Sequence, residues 1–378
     1  MTITNKAGSD KPLGIYVHVP FCVKKCLYCD FLSFENEDKS AHEAYAKGLI
    51  KEIEEKAAFI EKAGMKYTVD TVFIGGGTPS IMAPALVGDM IYAVKQTFNV
   101  DVNIEITIEA NPGTLGEEKL KSYLSYGVNR LSIGAQSFDD RMLKTLGRIH
   151  SPLDIDRCFK AARASGFKNI NLDLMFALPG QTLETWEDTL DRAVELCPEH
   201  ISFYSLQIEE GTKIHDLLSS GVYEGMADEL DREMYRLAVK KLPEAGYAHY
   251  EISNAAKPGF ECRHNIKYWT MEEYLGFGEG AHGYIGGKRL FDGKTHENSA
   301  SDDISEYMFT GLRMMRGINL SDFERRFKKP VREIYHKEWP AVERYIKDGF
   351  LIMESGNIRL SEKGIDISNR IMSEFILQ

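Results

Sequence analysis

Short apolar, β-branched runs alternate with stretches of helical period through the first two-thirds of the chain. Residues 14–19 (GIYVHV) predict the first strand. Over residues 41–63, Tyr45, Leu49, Ile53, Ala57 and Ile60 recur at three- and four-residue spacing with Lys51, Glu52, Glu54 and Glu55 between them, which is the period of a helix. Residues 71–75 (TVFIG) predict a second strand, a helix follows to about Phe98, and residues 103–109 (NIEITIE) predict a third. Thr114 and Glu117 read as a capping box opening the next helix. Residues 130–134 (RLSIG), 169–175 (NINLDLM) and 200–206 (HISFYSL) supply further strands, with helical segments around 153–165 and 183–196.

Six strands each followed by a helix imply parallel pairing through right-handed crossovers. Strands apolar on both faces belong in a sheet covered by helices. Six units are too few for a closed eight-unit barrel, so an open or partial barrel is expected, with functional groups at the carboxyl ends of its strands. After about residue 210 the pattern changes. A helix is predicted over 228–245 and an extended piece over 248–252, followed by a Gly- and aromatic-rich stretch to Gly287. From about Asp302 a small helical unit is expected: Met308, Leu312 and Met315 suit a core face, Ser321 and Glu324 read as a capping box, and 358–360 as a short strand. The expected division is 1–210, 211–300 and 301–378.

Bulk properties narrow the class. The 378 residues are 43% hydrophobic and 27% charged, as in a globular protein, and 46 Lys+Arg against 57 Asp+Glu leave a formal charge of −11. That acidity argues against broad nucleic-acid binding. The lead from Met1 to Leu13 is polar and lacks the apolar core of a signal peptide, and no apolar run is long enough for a membrane span. Six cysteines, three of them clustered, are not a disulfide framework at this size. A cytoplasmic protein is expected, with Cys158, Cys197 and Cys262 as ordinary thiols.

The cluster carries the chemistry. Cys22, Cys26 and Cys29 place three soft thiolates within eight residues, directly after the first strand. They suit an iron–sulfur cluster with one iron left open, a zinc knuckle completed by a ligand such as His18, or no metal at all. Gly75-Gly76-Gly77-Thr78-Pro79 follows the second strand, Glu109 closes the third, Gln136 follows the fourth, and Asp173 lies in the fifth. Each alone is as readily structural, but all fall on one rim of the predicted sheet. Carboxylates and amides there need polar partners, and sugar hydroxyls would serve.

These motifs together resemble the radical S-adenosylmethionine (SAM) enzymes. The runs IEANPG (108–113), SIGAQSF (132–138), LGR (146–148) and LPGQT (178–182) extend the resemblance, over nearly the whole chain, to the coproporphyrinogen III dehydrogenase superfamily. The resemblance implies an α/β fold: a partial (β/α)6 barrel, an extension, and a small, mainly helical, winged-helix-like C-terminal domain. It implies that Cys22, Cys26 and Cys29 hold a [4Fe–4S] cluster whose open iron takes the amino and carboxylate groups of SAM. Tyr16 and Tyr28 would flank it, Gly76, Gly77 and Thr78 receive the methionine, and Glu109 the ribose. Gln136, Arg148 and Asp173 match positions that contact this cofactor or a second copy. The chemistry implied is one-electron reduction of the sulfonium, releasing methionine and a 5′-deoxyadenosyl radical.

Two departures select the branch. The dehydrogenases carry a fourth cysteine where this chain has Phe31, and a longer N-terminal extension. His264-Asn265-Ile266-Lys267-Tyr268-Trp269 gives the HNxxYW run characteristic of the HemW-type haem chaperones. That resemblance implies haem binding at His264, Asn265, Tyr268 and Trp269: imidazole is a good axial ligand, and the aromatic faces suit a porphyrin. Cys262 is an alternative thiolate, and His282 matches a recurrent family segment without an assigned role. The expectation is a haem chaperone delivering to apo-haemoproteins, with clients at the respiratory membrane and a cluster-linked homodimer as further expectations. The rival is oxygen-independent coproporphyrinogen III oxidation.

Overall fold

The computed structural model describes residues 10–35 and 38–377. The expectation of no signal peptide therefore rests, up to Ser9, on positions outside the described residues. Among the described residues no helix is long and apolar enough to cross a membrane.

Six strands form the predicted parallel series: β1 (Lys11–Val19), β2 (Tyr67–Gly76), β3 (Asn99–Ala110), β4 (Arg130–Gln136), β5 (Ile170–Phe176) and β6 (His200–Ser205). They lie side by side in chain order, each pair parallel. All seven residues of β4 are buried, as expected for a strand covered on both faces. The helices Lys39–Lys62, Pro84–Thr97, Glu117–Tyr126, Pro152–Ser165 and Leu183–Glu195 return the chain between strands. Their apolar stripes join one continuous core, including Leu49, Ile53, Val87, Leu120, Ile155 and Trp186.

The strand series has a seventh parallel member that the sequence pattern does not signal. β7 (Tyr274–Phe277) pairs with β1 on the side away from β2, Gly14 opposite Tyr274 and Val17 opposite Phe277. Four residues, Tyr-Leu-Gly-Phe, are too few to show a period, and they sit in a glycine-rich run. Antiparallel strands His282–Ile285, Lys288–Phe291 and Lys294–Glu297 continue beyond β7, while Asn254–Ala256 and Ala248–Glu251 cover the far edge beside β6. The sheet thus draws strands from both stretches that the sequence divides at residue 210. The open α/β architecture with a large, mainly parallel sheet is as expected.

β2 and β3 begin four residues earlier than their apolar runs. Polar positions at their amino ends pair with one another, as where Asn99 donates to Asp10 (3.1 Å) and to Thr68 (2.8 Å).

Both predicted capping boxes are absent. Gly116, without a side chain, caps Glu117–Tyr126, because the Thr114 hydroxyl donates to the Asn111 carbonyl (2.7 Å) within the Asn-Pro-Gly turn. Asn319 caps Leu320–Phe327, accepting from the amides of Ser321 (3.1 Å) and Asp322 (3.0 Å). The boxes that do form, Ser151/Asp154 and Ser299/Asp302, use aspartate at the third helical position. Near the C-terminus, short helices accompany a three-stranded sheet of Ile318–Asn319, Asn357–Leu360 and Leu351–Glu354.

Candidate functional site: two cavities that meet at Phe31

The carboxyl ends of β1–β6 open into a cavity of about 480 Å³. Its walls include Cys22, Cys26, Tyr28 and Cys29 from the loop after β1, Gly76, Gly77 and Thr78 after β2, Glu109, Gln136, Arg148 and Asp173. Of the residues expected around cluster and SAM, only Tyr16 lies outside this lining. Its ring stands deeper in the sheet, stacked on Phe73 (6.3 Å), with its hydroxyl 3.0 Å from His18 Nδ1.

The glycine run lies against the cysteine loop. The Gly77 amide donates to the Val19 carbonyl (2.8 Å), and the Thr78 amide to that of Phe21 (2.7 Å). A Cβ on Gly77 would stand 2.7 Å from the Phe21 carbonyl oxygen. Gly76, at φ +110°, would press a Cβ into the His18 ring. Close packing of two backbones therefore demands these glycines. The resemblance gives Gly76, Gly77 and Thr78 to the methionine of SAM; here the amides of Gly77 and Thr78 serve this packing and the Gly76 amide donates to Glu109 (3.1 Å).

Around the thiols the polar groups are cross-braced. Arg148 donates to Cys26 Sγ (3.4 Å), to Asn111 Oδ1 (2.5 Å) and to the Gly134 carbonyl (2.6 Å). Asn111 donates to Thr78 Oγ1 (3.0 Å), which lies 3.5 Å from Cys22 Sγ. Burial pushes the thiols of Cys22 and Cys29 up from their ordinary values, so unliganded thiolates are disfavoured. Gln136 takes a left-handed backbone (φ +65°), unusual outside glycine, at the end of β4. Asp173 accepts from Ser132 (2.9 Å) and Asn171 (2.7 Å). Burial, then the nearby Asp173 charge, pushes Glu109 up to about 8.

No three His, Cys, Asp or Glu side chains among the described residues converge on one metal-ion position. A single zinc would need its sulfurs about 2.3 Å from one point, whereas an iron–sulfur cluster can give each thiolate its own iron. Three thiols on one loop, beside a guanidinium and in a walled cavity, fit a cluster.

The HNxxYW run forms the helix Arg263–Trp269, fastened to β2 and β3 in the middle of the sheet. Glu105 of β3 accepts from the amides of Arg263 (3.1 Å) and His264 (3.0 Å). Lys267, 2% exposed, pairs with Asp70 of β2 (2.9 Å) and Glu272 (2.8 Å). His264 is wholly buried, with Nδ1 2.8 Å from Thr71 Oγ1 and Nε2 2.8 Å from the Tyr268 hydroxyl. Burial, then the Lys267 and Arg130 charges, pushes it down to about 3. Both ring nitrogens are engaged, so in this arrangement His264 has no coordination position to offer and acts as a pin. Asn265 and His264 face a polar space of about 180 Å³ inside the sheet, which also touches Glu109, Arg130 and Asp173.

Tyr268, which also touches that space, and Trp269 wall a second large cavity of about 490 Å³. Tyr16, His18, Phe31, Tyr274, His282, Tyr284 and Arg289 contribute to it. Phe31, 62% exposed, lines both this cavity and the thiol cavity. Cys262 lies fully buried, 3.8 Å from Glu105.

Residues 16–193 match the family model of the Radical SAM superfamily, and residues 298–367 that of the HemN C-terminal domain. The chain is 33% identical to "Heme chaperone HemW" of Lactococcus lactis, over 97% of this chain and 98% of that protein. It is 35% identical to the protein of the same name from Bacillus subtilis, over 96% and 98%. The chain belongs to the HemW family of radical SAM proteins. The Escherichia coli member is 40% identical over 72% of this chain and 70% of its own length. The fold matches a solved coproporphyrinogen III oxidase (HemN) from Escherichia coli, with a TM-score of 0.83 at 22% identity, covering 97% of this chain and 90% of that one. Membership of the radical SAM superfamily implies a [4Fe–4S] cluster and SAM.

For this HemW-family chain, sequence reasoning missed three residues of the site. Asn111 was quoted only as part of a motif, yet it links Thr78 to Arg148. Arg130 opens the apolar run of β4 and is 1% exposed; a charge beginning such a run was the available signal. Lys267 was an unspecified position inside HNxxYW, and nothing in the sequence shows that Asp70 and Glu272 reach it.

Proposed function

We propose that this protein is a haem chaperone that binds haem, holds a [4Fe–4S] cluster and SAM, and delivers haem to apo-haemoproteins. In this reading Cys22, Cys26 and Cys29 ligate the cluster, with Arg148 beside Cys26 holding positive charge against the thiolates. Thr78, Glu109, Gln136 and Asp173 offer hydroxyl, carboxyl and amide groups along the wall, for the methionine and ribose parts of SAM. The cofactor pair, when bound, supplies one-electron reductive chemistry. The protein orients it and limits water with Tyr28, Met175 and Tyr204, which line the same cavity. On the haem side, Tyr268 and Trp269 give flat apolar faces, while His264 and Lys267 fix the helix that carries them. Residues 1–210, 211–300 and 301–378 remain the proposed division of labour: cofactor, haem contacts and C-terminal unit.

One observation carries the reading: the thiol cavity and the aromatic cavity share Phe31, the residue standing where the dehydrogenases have a fourth cysteine. A hydrophobic wall there joins the proposed cluster site to an aromatic space of about 490 Å³. The test is anaerobic reconstitution with iron and sulfide, followed by haemin titration. Stoichiometric binding with a Soret change is expected, and its absence would sink the proposal. Incubation with coproporphyrinogen III, reductant and SAM is expected to give no protoporphyrinogen; its formation would establish the oxidase instead.

A further inference from the structure

Two histidines line the aromatic cavity, His18 and His282. His18 is closed, with Nδ1 3.0 Å from the Tyr16 hydroxyl and Nε2 2.8 Å from the Leu32 carbonyl oxygen. His264, behind Tyr268, is closed in the same way. His282 differs. Its ring lies on Phe291, opposite it across the hairpin, with centroids 4.0 Å apart and planes 20° apart. That stacking sets the ring plane without using a nitrogen; the side chain is exposed, and its nitrogens, which have no hydrogen-bond partner among the described residues, are open to water or a ligand. Partial burial lowers His282 from its ordinary value, which favours the neutral, ligating imidazole near pH 7.

The same cavity holds a second unmet group. Trp269 lines it, and its buried indole Nε1–H has no acceptor. Arg289, paired with Glu306 and lying over the Tyr284 ring (4.5 Å), is the only lysine or arginine in the lining among the described residues. A space of about 490 Å³ falls within the range of small-molecule sites, about 300–1,000 Å³. Aromatic walls, one unengaged imidazole and a few donors fit a flat, apolar metal macrocycle with acceptors at its edge.

We propose that this cavity is the haem site and that His282, not His264, is the axial ligand to the haem iron, with the bound haem beside Phe31 and the cysteine loop. The step is coordination only: a neutral imidazole nitrogen donates its lone pair to iron, and no electron or proton changes hands. The assignment rests on the haem reading above and replaces its ligand. His264 becomes a positioning residue that holds Tyr268.

Reconstituted wild type, His282→Ala and His264→Gln would be titrated with haemin and followed by absorption and electron paramagnetic resonance. His282→Ala is expected to alter the Soret band and spin state and to weaken binding by about tenfold or more. Added imidazole should restore the wild-type spectrum, which a merely structural defect would not allow. His264→Gln should keep the wild-type ligand signature. If wild type binds haemin and His282→Ala gives an unchanged spectrum, this assignment is wrong while the haem reading stands. If wild type gives no Soret response, the haem reading fails and the assignment with it.

Discussion

The thiol cavity and the aromatic cavity are nearly equal in volume, at about 480 and 490 Å³, and they meet at Phe31, yet they are assembled differently. The first is built by strand ends taken in chain order: the loop after β1, the turn after β2, the last residues of β3 and β4. Each of these follows an apolar run directly; Arg148, beyond β4, and Asp173, within β5, complete the wall. The second gathers Tyr16 and His18 from β1, Phe31 from the cysteine loop, Tyr268 and Trp269 from a short helix, and Tyr274 and His282 from β7 and its hairpin. The first three lie more than two hundred residues from the last four, and the buried Lys267–Asp70 pair ties the helix to β2. Parallel α/β topology builds the first site automatically, whereas the second depends on individual side chains.

Perturbing each construction separately tests that contrast. The largest effect is expected at the thiols: Cys26→Ser should abolish cluster retention while leaving the fold intact, read as iron and sulfide content beside circular dichroism. Retained iron at wild-type level would remove the cysteine triplet from the site.

Next comes the fastening of the aromatic side. Lys267→Met leaves Asp70 and Glu272 without their buried cation and should cost about 3–5 kcal/mol in denaturant unfolding. Iron retention should be less affected than stability. A loss under about 1 kcal/mol would mean that the helix Arg263–Trp269 is not held this way.

Gly77→Ala acts on the opposite side, since its methyl group meets the Phe21 carbonyl. A cost of about 1–3 kcal/mol is expected, together with faster cluster loss, because the cysteine loop must shift. Unchanged stability would show that the two backbones are not in tight contact.

The gentlest test is pH. His264, pushed down to about 3, is neutral in the fold, while the unfolded chain titrates near 6.5. Between those values the unfolded state binds more protons, so stability should fall as pH drops from about 6.5 toward 3. Glu109, pushed up to about 8, gives the opposite sign. Between its ordinary 4.5 and 8 the folded state keeps a proton that the unfolded chain loses, so stability falls as pH rises. His264→Gln should flatten the acid arm and Glu109→Gln the alkaline arm, each by under about 1.4 kcal/mol per pH unit. Arms that do not respond in this way would show that these groups do not govern the pH dependence.

Much of the first cavity was legible in the sequence. Cys22, Cys26, Cys29, Thr78, Glu109 and Gln136 sit at or just after strand ends whose apolar periods are plain, Asp173 lies within β5, and parallel strands bring such positions to one rim. Arg148 came from family resemblance, and its three partners only from the structure. Both capping boxes were misplaced because a hydroxyl three residues before a glutamate is a local pattern. The Asn-Pro-Gly turn bonded Thr114, and Asn319 stood earlier than Ser321. β7 went unseen because four residues carry no period.

The HNxxYW run shows the limit most sharply. The sequence supplied a histidine, a lysine, a tyrosine and a tryptophan within six residues, along with the alternation that places them after the main strand series. It could not say which of them face inward. That depended on Thr71, Glu105 and Asp70, whose partners are fixed only when β2 and β3 lie beneath the helix. They turn His264 and Lys267 inward and leave Tyr268 and Trp269 on the cavity wall. Strand order and strand-end chemistry follow from periodicity along the chain. Which imidazole keeps its nitrogens unengaged follows from hydrogen bonds across it, and only the packed sheet decides those.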